Sequence, residues 1–526
     1  MAKVLRIIGM VAAGVALVAT GIGAFGGASL AASLGTTTAA LTQIATIASV
    51  VSSVAMIGSQ LLAKPPPARG AVTQTVIAVE PPRPYVMGEG HCGGVRRYDR
   101  AYGGKIKKIQ NPYNFIVDVY SGVGPVESIA PRFDYAPIPS YFATFAYTSQ
   151  QLGACPESAA LVPYWSGAPN WSTASKLSGC AAIGWNFRFD KDGKRFAAGV
   201  PVMGAYGKWV KVYDPRKDST FPGGSGSHRL GVEPTYEWSE NPALHFGMYA
   251  YGRYQNGKKV MGVGLPSQSI DWIKIAAWAN VCQANAWTMF GRVFEPGDRW
   301  ANLRDIAIAG GAEPAFSGAV LTVRYQAPQV SLATITEADL AAGDVSVPGM
   351  RPYAERVNTA IPRYIDPDSN WELMAARPIV FSGLVAADGE EKKQEWPFNF
   401  VKKVNQAAQL AAYRVLDSRE QTPIELPLLP QWRTARPGEC YTCDLPNYGL
   451  TGDVIVLARS IDPETLTVKL TVQTETAGKH ATALATTGTP PDAVVAGQTA
   501  QDRDDVADGV LLPGDDIVYD GGLVIP

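Results

Sequence analysis

Histidine is scarce in this sequence: His91, His228, His245 and His480 are the four in 526 residues. That leaves little material for a histidine-based catalyst or metal site. Surplus charge is also missing, with 46 Lys+Arg against 47 Asp+Glu. A chain so balanced carries no electrostatic footprint for nucleic acid or an anionic membrane surface, so DNA is expected to pass by rather than bind. Cysteine is sparse as well. Cys92, Cys155, Cys180, Cys282, Cys440 and Cys443 are too few for a dense disulfide framework, and they leave the redox compartment undecided. Cys155 and Cys180 bracket a Ser/Gly/Trp-rich loop that an oxidising environment would allow to bridge; two free or buried thiols are the preferred reading.

The same poverty extends to motifs. Cys440-Tyr441-Thr442-Cys443 has a metal-like spacing, but no second ligand pair lies nearby, and strand positions three apart face opposite sides. Adjacency of His91 and Cys92 does not supply the geometry of a nucleophilic pair. The glycine-rich loop Pro222-Gly223-Gly224-Ser225-Gly226-Ser227 lacks a following Lys-Ser/Thr and a helix start, so it is not a phosphate cradle. Asp388, Glu390 and Glu391 share a polar turn with Lys392 and Lys393, and no carboxylate pair stands out for glycoside cleavage. No catalytic residue, metal or cofactor is expected, and the chain does not read as an enzyme.

The longest absence is of charge. Residues 7–63 contain no Asp, Glu, Lys or Arg, a run more than twice the ~20 residues that cross a hydrocarbon core. Gly35-Thr36-Thr37-Thr38 divides it into two apolar halves, which suggests two helices or a helical hairpin. Ile7, Val11, Gly14, Gly23, Gly27, Ile44, Ile47, Val51 and Leu61 are the candidate membrane- or lumen-facing residues, the glycines permitting close backbone approach. Three readings compete: a signal peptide after Lys3 and Arg6, a transmembrane anchor diluted by Gly, Thr, Ser and Gln, and a segment kept inside an assembly and released into a membrane later. The third is preferred. Pro65-Pro66-Pro67 then ends any helix and marks a boundary.

What is present is β-material. Gly (53) and Pro (39) are abundant, which suits strands joined by turns, and the length implies three or four domains at ~150 residues each. Val72–Val79 reads as a strand before Pro81-Pro82, followed by Pro84-Tyr85-Val86-Met87-Gly88 and a turn at Gly93-Gly94. An apolar strand, Asn114–Ser121, runs into the turn Gly124-Pro125-Val126-Glu127-Ser128-Ile129. A helix is expected from Ile270 to Cys282, capped by Ser267 or Ser269, with Ile270, Ile273, Ala277 and Val281 on one face. Another spans Trp300–Ala309 and stops at Gly310-Gly311, before the strand Ala319–Tyr325. A helix over Val401–Leu416 carries Val401, Val404, Ala408, Ala411 and Val415 on one face. Strands follow at Ile424–Leu429, Tyr441–Leu445, Val454–Ile461 and Leu466–Thr474, the last alternating apolar and polar residues so that one face is wet.

The passage Asn111–Ile129 resembles the tail tip hub proteins of lambda-like siphophages. So do Lys211-Val212-Tyr213-Asp214-Pro215-Arg216, Trp238-Ser239-Glu240-Asn241-Pro242-Ala243-Leu244, Gly262-Val263-Gly264-Leu265-Pro266, Ile361-Pro362-Arg363-Tyr364 and Asn370-Trp371-Glu372, in the same order and spacing. The resemblance covers about residues 68–490. It implies a mainly β, multidomain hub with two related β-barrel domains, a small α/β module and the apolar helical N-terminal segment. The expected divisions are 1–64, 65–204 (first hub β domain), 205–330 (α/β module), 331–485 (second hub β domains with one helix) and 486–526. It further implies a homotrimer at the distal end of the tail, which closes the tube, joins its sixfold symmetry to a threefold tip and takes part in host penetration and genome ejection. Its partners would be the distal tail protein, the tape-measure protein, tip or fibre proteins and the host membrane during ejection. The basic cluster Arg96, Arg97, Arg100, Lys105, Lys107 and Lys108 is a candidate channel-facing patch, with a solvated loop face as the alternative. Residues 501–520, with seven Asp and one Arg, form an acidic tail whose islands Val510-Leu511-Leu512 and Ile517-Val518-Tyr519 suggest docking strands. Rival readings are a membrane-anchored bacterial β-rich protein and a tip-associated cell-wall hydrolase.

Overall fold

The computed structural model describes residues 73–491 apart from 107, 197, 198, 350 and 351. The candidate residues from Ile7 to Leu61, Lys107 and the acidic tail therefore lie outside the described residues. The chain divides at Arg69/Gly70, and everything below concerns the second unit. Among the described residues no helix is long and apolar enough to cross a membrane.

Apart from three two-residue strands, the fold opens with β1 (Arg83–Cys92), β2 (Val95–Tyr102), β3 (Tyr113–Ser121), β4 (Val126–Phe133), β5 (Ala146–Gln151), β6 (Ala181–Arg188) and β7 (Met203–Val212). An antiparallel sheet runs β2-β3-β6-β5. The turn from β3 to β4 is tight for a physical reason. A Cβ on Gly124 would stand 2.4 Å from the Gly153 carbonyl oxygen, so only glycine fits, while the Ser121 hydroxyl donates to the Val123 carbonyl at 2.7 Å.

The chain then forms α1 (Pro242–Tyr251), α2 (Trp272–Ala284), β8 (Phe290–Glu295), α3 (Arg299–Ala309) and the hairpin β9 (Ala312–Ser317) with β10 (Val320–Tyr325). Asn241 caps α1, its side chain accepting from the Ala243 N–H, and a proline occupies the first turn, where its missing N–H costs nothing. Asp298 caps α3, which ends at Gly310 as its sequence indicates.

The remaining elements are β11 (Thr334–Thr336), β12 (Thr359–Asp366), β13 (Glu372–Ala375), β14 (Ile379–Val380), α4 (Ser382–Asp388), β15 (Lys393–Pro397), α5 (Val404–Asp417), β16 (Ile424–Leu428), β17 (Cys440–Leu445), β18 (Leu450–Ile461), β19 (Val468–Thr474) and α6 (Gly478–Ala485). The last sheet runs β11-β17-β18-β19-β16, with β11 parallel to β17 and the rest antiparallel. Beneath it Ile424, Leu426, Leu428, Val468, Leu470 and Val472 are fully buried, each worth roughly 1.5–3 kcal/mol. Lys469 faces solvent, with Thr471 and Gln473 half-buried, so the alternation seen in sequence is met. The structure is mainly β, as expected.

Domain organisation differs from the sequence expectation in one respect. The seam placed between residues 204 and 205 falls inside β7, and β8 returns to pair with β1, giving a sheet ordered β8-β1-β7-β4. Segment 205–330 thus completes the first sheet. One apolar core joins Tyr85 on β1 to Trp278 on α2, Tyr413 on α5 and Ala483 on α6.

Four local expectations are corrected. The strand expected over Val72–Val79 does not form among the described residues 73–79. Val76 makes a single bridge, bonded to Gly94 and Arg96, and Ile77 and Val79 are exposed, because nothing pairs with the segment beyond that point. Helix α2 is capped by Asp271, whose carboxylate accepts from the Lys274 N–H, while Ser267–Ser269 form a separate 3-10 turn. Its buried face is Trp272, Ile275, Trp278, Ala279 and Cys282, with Ile273 67% exposed. Two tryptophans outweigh the aliphatic stripe in apolar area, and they set the rotation of the helix. Leu466, finally, sits in a turn at φ 59 and is exposed, so β19 begins at Val468.

Candidate functional site

The basic cluster sits on β2 and the hairpin after it, and it splits into two kinds of residue. Arg96 is committed inward. Its Nε donates to Asp118 at 3.1 Å and its Nη1 to Asp99 at 3.0 Å, and Asp118 is wholly buried. Burial raises the Asp118 carboxyl's pKa, and the Arg96 hydrogen bond and charge oppose that rise without cancelling it. Arg97 donates to the Pro81 and Pro82 carbonyls and fastens the entry to β1. Arg100, Lys105 and Lys108 are exposed and carry what surface charge remains. Two of the cluster's arginines, half-buried Arg96 and exposed Arg97, serve as braces.

The sparse chemical groups are placed where they do little chemistry. His91 is buried, its ring tilted against that of Tyr135 with centroids 4.9 Å apart; burial first, then Arg132 and Arg292, lowers its pKa to about 3, so it is neutral. Burial pushes the Cys92 thiol up to about 12. A neutral imidazole beside an un-ionised thiol, on opposite faces of one strand, is not an activated nucleophile. Burial likewise holds His245 down at about 4, with its Nε2 2.8 Å from the Ser239 carbonyl. The His228 Nδ1 accepts from the Asp214 N–H. Cys440 and Cys443 lie on opposite faces of β17, both buried, with thiols raised by burial to about 11 and about 12. Cys155 is exposed, Cys180 is half-buried, and neither is bridged. Among the described residues no group of three or more His, Cys, Asp or Glu is placed to hold a metal ion. Asp388, singled out in its polar turn, accepts from both terminal nitrogens of Arg419, which hold its carboxyl well below the ordinary range.

One concentration of buried charge was not legible in the sequence. A cleft of about 440 Å³ opens between the β9–β10 hairpin, α5 and the last sheet, with Arg324, Tyr325, Arg414, Asp417, Glu475 and Lys479 on its walls. The Lys479 Nζ lies between Asp417, at 2.9 Å, and Glu475, at 2.6 Å. His480 places Nε2 2.7 Å from Glu475 and Nδ1 3.1 Å from the Tyr413 hydroxyl. Gln326 donates to the second Asp417 oxygen at 2.7 Å. Burial raises the Asp417 carboxyl even against Lys479. For Glu475, burial is outweighed by the His480 hydrogen bond and the Lys479 charge, which leave its pKa lowered. Burial would depress Lys479, but its two carboxylates win and raise it. The groups come from α5, α6, Glu475 just after β19 and Gln326 just after β10, so the arrangement is a clamp that fixes α6 to the core. The signal in sequence would have been Lys479 and His480 falling four and five residues after Glu475, but their partners are remote in the chain.

No family model and no curated protein matches this sequence. Among solved structures, the chain is similar to a chain from the virion of a native gene transfer agent particle, with TM-score 0.50 and 14% identity over 81% of this chain and 89% of that one. It also aligns with the 43 kDa tail protein of prophage MuSo2 from Shewanella oneidensis, at TM-score 0.28 and 9% identity over 69% of this chain and 98% of that one. A tail protein from Neisseria meningitidis MC58 aligns at TM-score 0.29 and 10% identity over 77% and 99%. The latter two scores carry no argument. At 14% identity the first likeness speaks to fold alone.

Proposed function

We propose that this chain is the structural hub at the distal end of a phage-like tail, without catalytic activity of its own. As a homotrimer it closes the tail tube, joins the sixfold tube to a threefold tip and takes part in host penetration and genome ejection. The observation that carries this reading is the fold likeness to a gene transfer agent virion chain, which extends over 89% of that chain. The engagement of nearly every buried ionisable group in structural bonds agrees with a mechanical role. Its neighbours in the particle are the distal tail protein, the tape-measure protein and tip or fibre proteins, and DNA meets it only in passage. Residues 7–63 of three copies pack inside the closed tip and enter the host membrane on opening. Such burial reconciles an uncharged run with a soluble particle, since an exposed patch of that size would aggregate.

A particle reconstruction tests the hub reading. Threefold density for this fold at the tail end is expected, and particles from which the chain is absent would refute it. The uncharged run itself favours one rival, a membrane-anchored bacterial β-rich protein. Cell fractionation separates the two: a monomer confined to bacterial membranes is the rival's signature. Zymography of the purified chain is expected to show no clearing of cell wall, and clearing would revive the hydrolase. Deletion of residues 7–63 should leave particles that assemble but fail to deliver DNA; normal infection would remove the delivery role while leaving the hub intact.

A further inference from the structure

A second cleft, of about 650 Å³, lies between α2, the β9–β10 hairpin and the segment before β17. Three arginines, Arg433, Arg436 and Arg459, line it together with Ile273 and Val320. Arg433 and Arg436 are exposed and Arg459 is half-buried, held by hydrogen bonds to the Arg433 and Ala435 carbonyls. Among the described residues none of the three guanidinium groups makes an ion pair. The carboxylates nearest to them are occupied. Asp271 caps α2 and accepts from the Thr322 hydroxyl, while Glu439 accepts from the Arg436 N–H and the Tyr441 hydroxyl. Trp272, also on the cleft, has an indole N–H with no acceptor among the described residues. The cleft therefore offers excess positive charge and an exposed isoleucine.

We infer that this cleft is a docking site for the chain's own acidic segment, residues 501–520. The segment carries seven Asp and one Arg, and its aspartates alternate with Val510-Leu511-Leu512 and Ile517-Val518-Tyr519. Carboxylates suit arginine forks, and the apolar islands suit Ile273 and Val320. Length permits it. The residues between 491 and 510 span up to about 60 Å when extended, against a radius of gyration of about 22 Å for a domain of this size. A nucleic acid would find phosphate partners here too, but Ile273 and Val320 offer a phosphodiester nothing, and three cations make a small footprint.

Hydrogen–deuterium exchange on the full chain tests the docking. Peptides covering 510–520 should exchange on the order of tenfold more slowly in the native sequence than in R433E/R436E, and high salt should remove the difference. Replacing Asp515 and Asp516 by Arg in the R433E/R436E background should restore protection. Equal exchange in the native sequence and R433E/R436E overturns the proposal. Should R433E/R436E fail to fold by near-ultraviolet circular dichroism, D515N/D516N and I273D carry the same comparison from the other side. A single-stranded oligonucleotide that binds through Arg433 and Arg436 with no change in tail exchange would assign the cleft to nucleic acid and overturn the proposal. Cross-links from the cleft to a differently labelled copy's tail would overturn the same-chain assignment.

Discussion

Replacing Lys479 by methionine removes the ammonium that Asp417 and Glu475 share while keeping most of the stem that packs there. Breaking a buried ion pair by deleting one partner costs about 3–5 kcal/mol, chiefly because a charge is left without compensation. The Asp417 side chain is 25% exposed and that of Glu475 11%, so water screens part of the loss and about 3 kcal/mol is expected near pH 8. The pH dependence has a definite sign. In the native sequence Glu475 is held below its ordinary pKa, so its stabilisation is present above the unfolded value of about 4.3 and fades as pH falls through the folded one. In the variant Asp417, raised by burial even beside Lys479, loses its counter-charge, so its destabilisation grows as pH rises through its folded pKa, while Glu475 loses the Lys479 charge and keeps the His480 hydrogen bond. The gap between the two proteins should thus be widest near pH 8 and narrow towards pH 4. Urea unfolding followed by tryptophan fluorescence measures it across that range. Adding Glu475→Gln to the Lys479→Met background should recover at least half of the loss. A deficit below about 1 kcal/mol, or one that does not change with pH, would show that the cluster is not the clamp described.

The rotation of α2 can be checked with two alanines: Ile275→Ala should cost about 2–5 kcal/mol and Ile273→Ala under about 0.5, and equal costs would restore the face read from sequence. In the basic cluster, Arg96→Met should destabilise by roughly 3 kcal/mol because Asp118 is left buried and alone, whereas Arg100→Gln should leave the thermal midpoint unchanged. Gly88 has φ 75 and a Cβ there would lie 1.8 Å from the Met289 carbonyl oxygen, so Gly88→Ala should cost roughly 3 kcal/mol or more by denaturant titration; a neutral substitution would mean that β1 and β8 approach less closely than described.

The sequence by itself determined the elements whose cause is local. Gly310 stops α3, and the alternation of Val468, Leu470 and Val472 places β19, because caps and strand period act within a few residues. Composition also announced the charge-free run of residues 7–63 and the poverty of catalytic groups. Tertiary structure decided what depends on remote partners. Whether Ile273 or Ile275 faces inward rests on what packs beside α2, and aliphatic spacing alone cannot weigh two tryptophans against it. The return of β8 to β1 erased a seam between segments far apart in sequence, which no local pattern encodes. Arg96 and Lys108 look alike in sequence, yet one braces a buried carboxylate and the other meets solvent. The Lys479 clamp and the three-arginine cleft exist only because distant segments fold together, since an ion pair or a cleft is a property of distances in space.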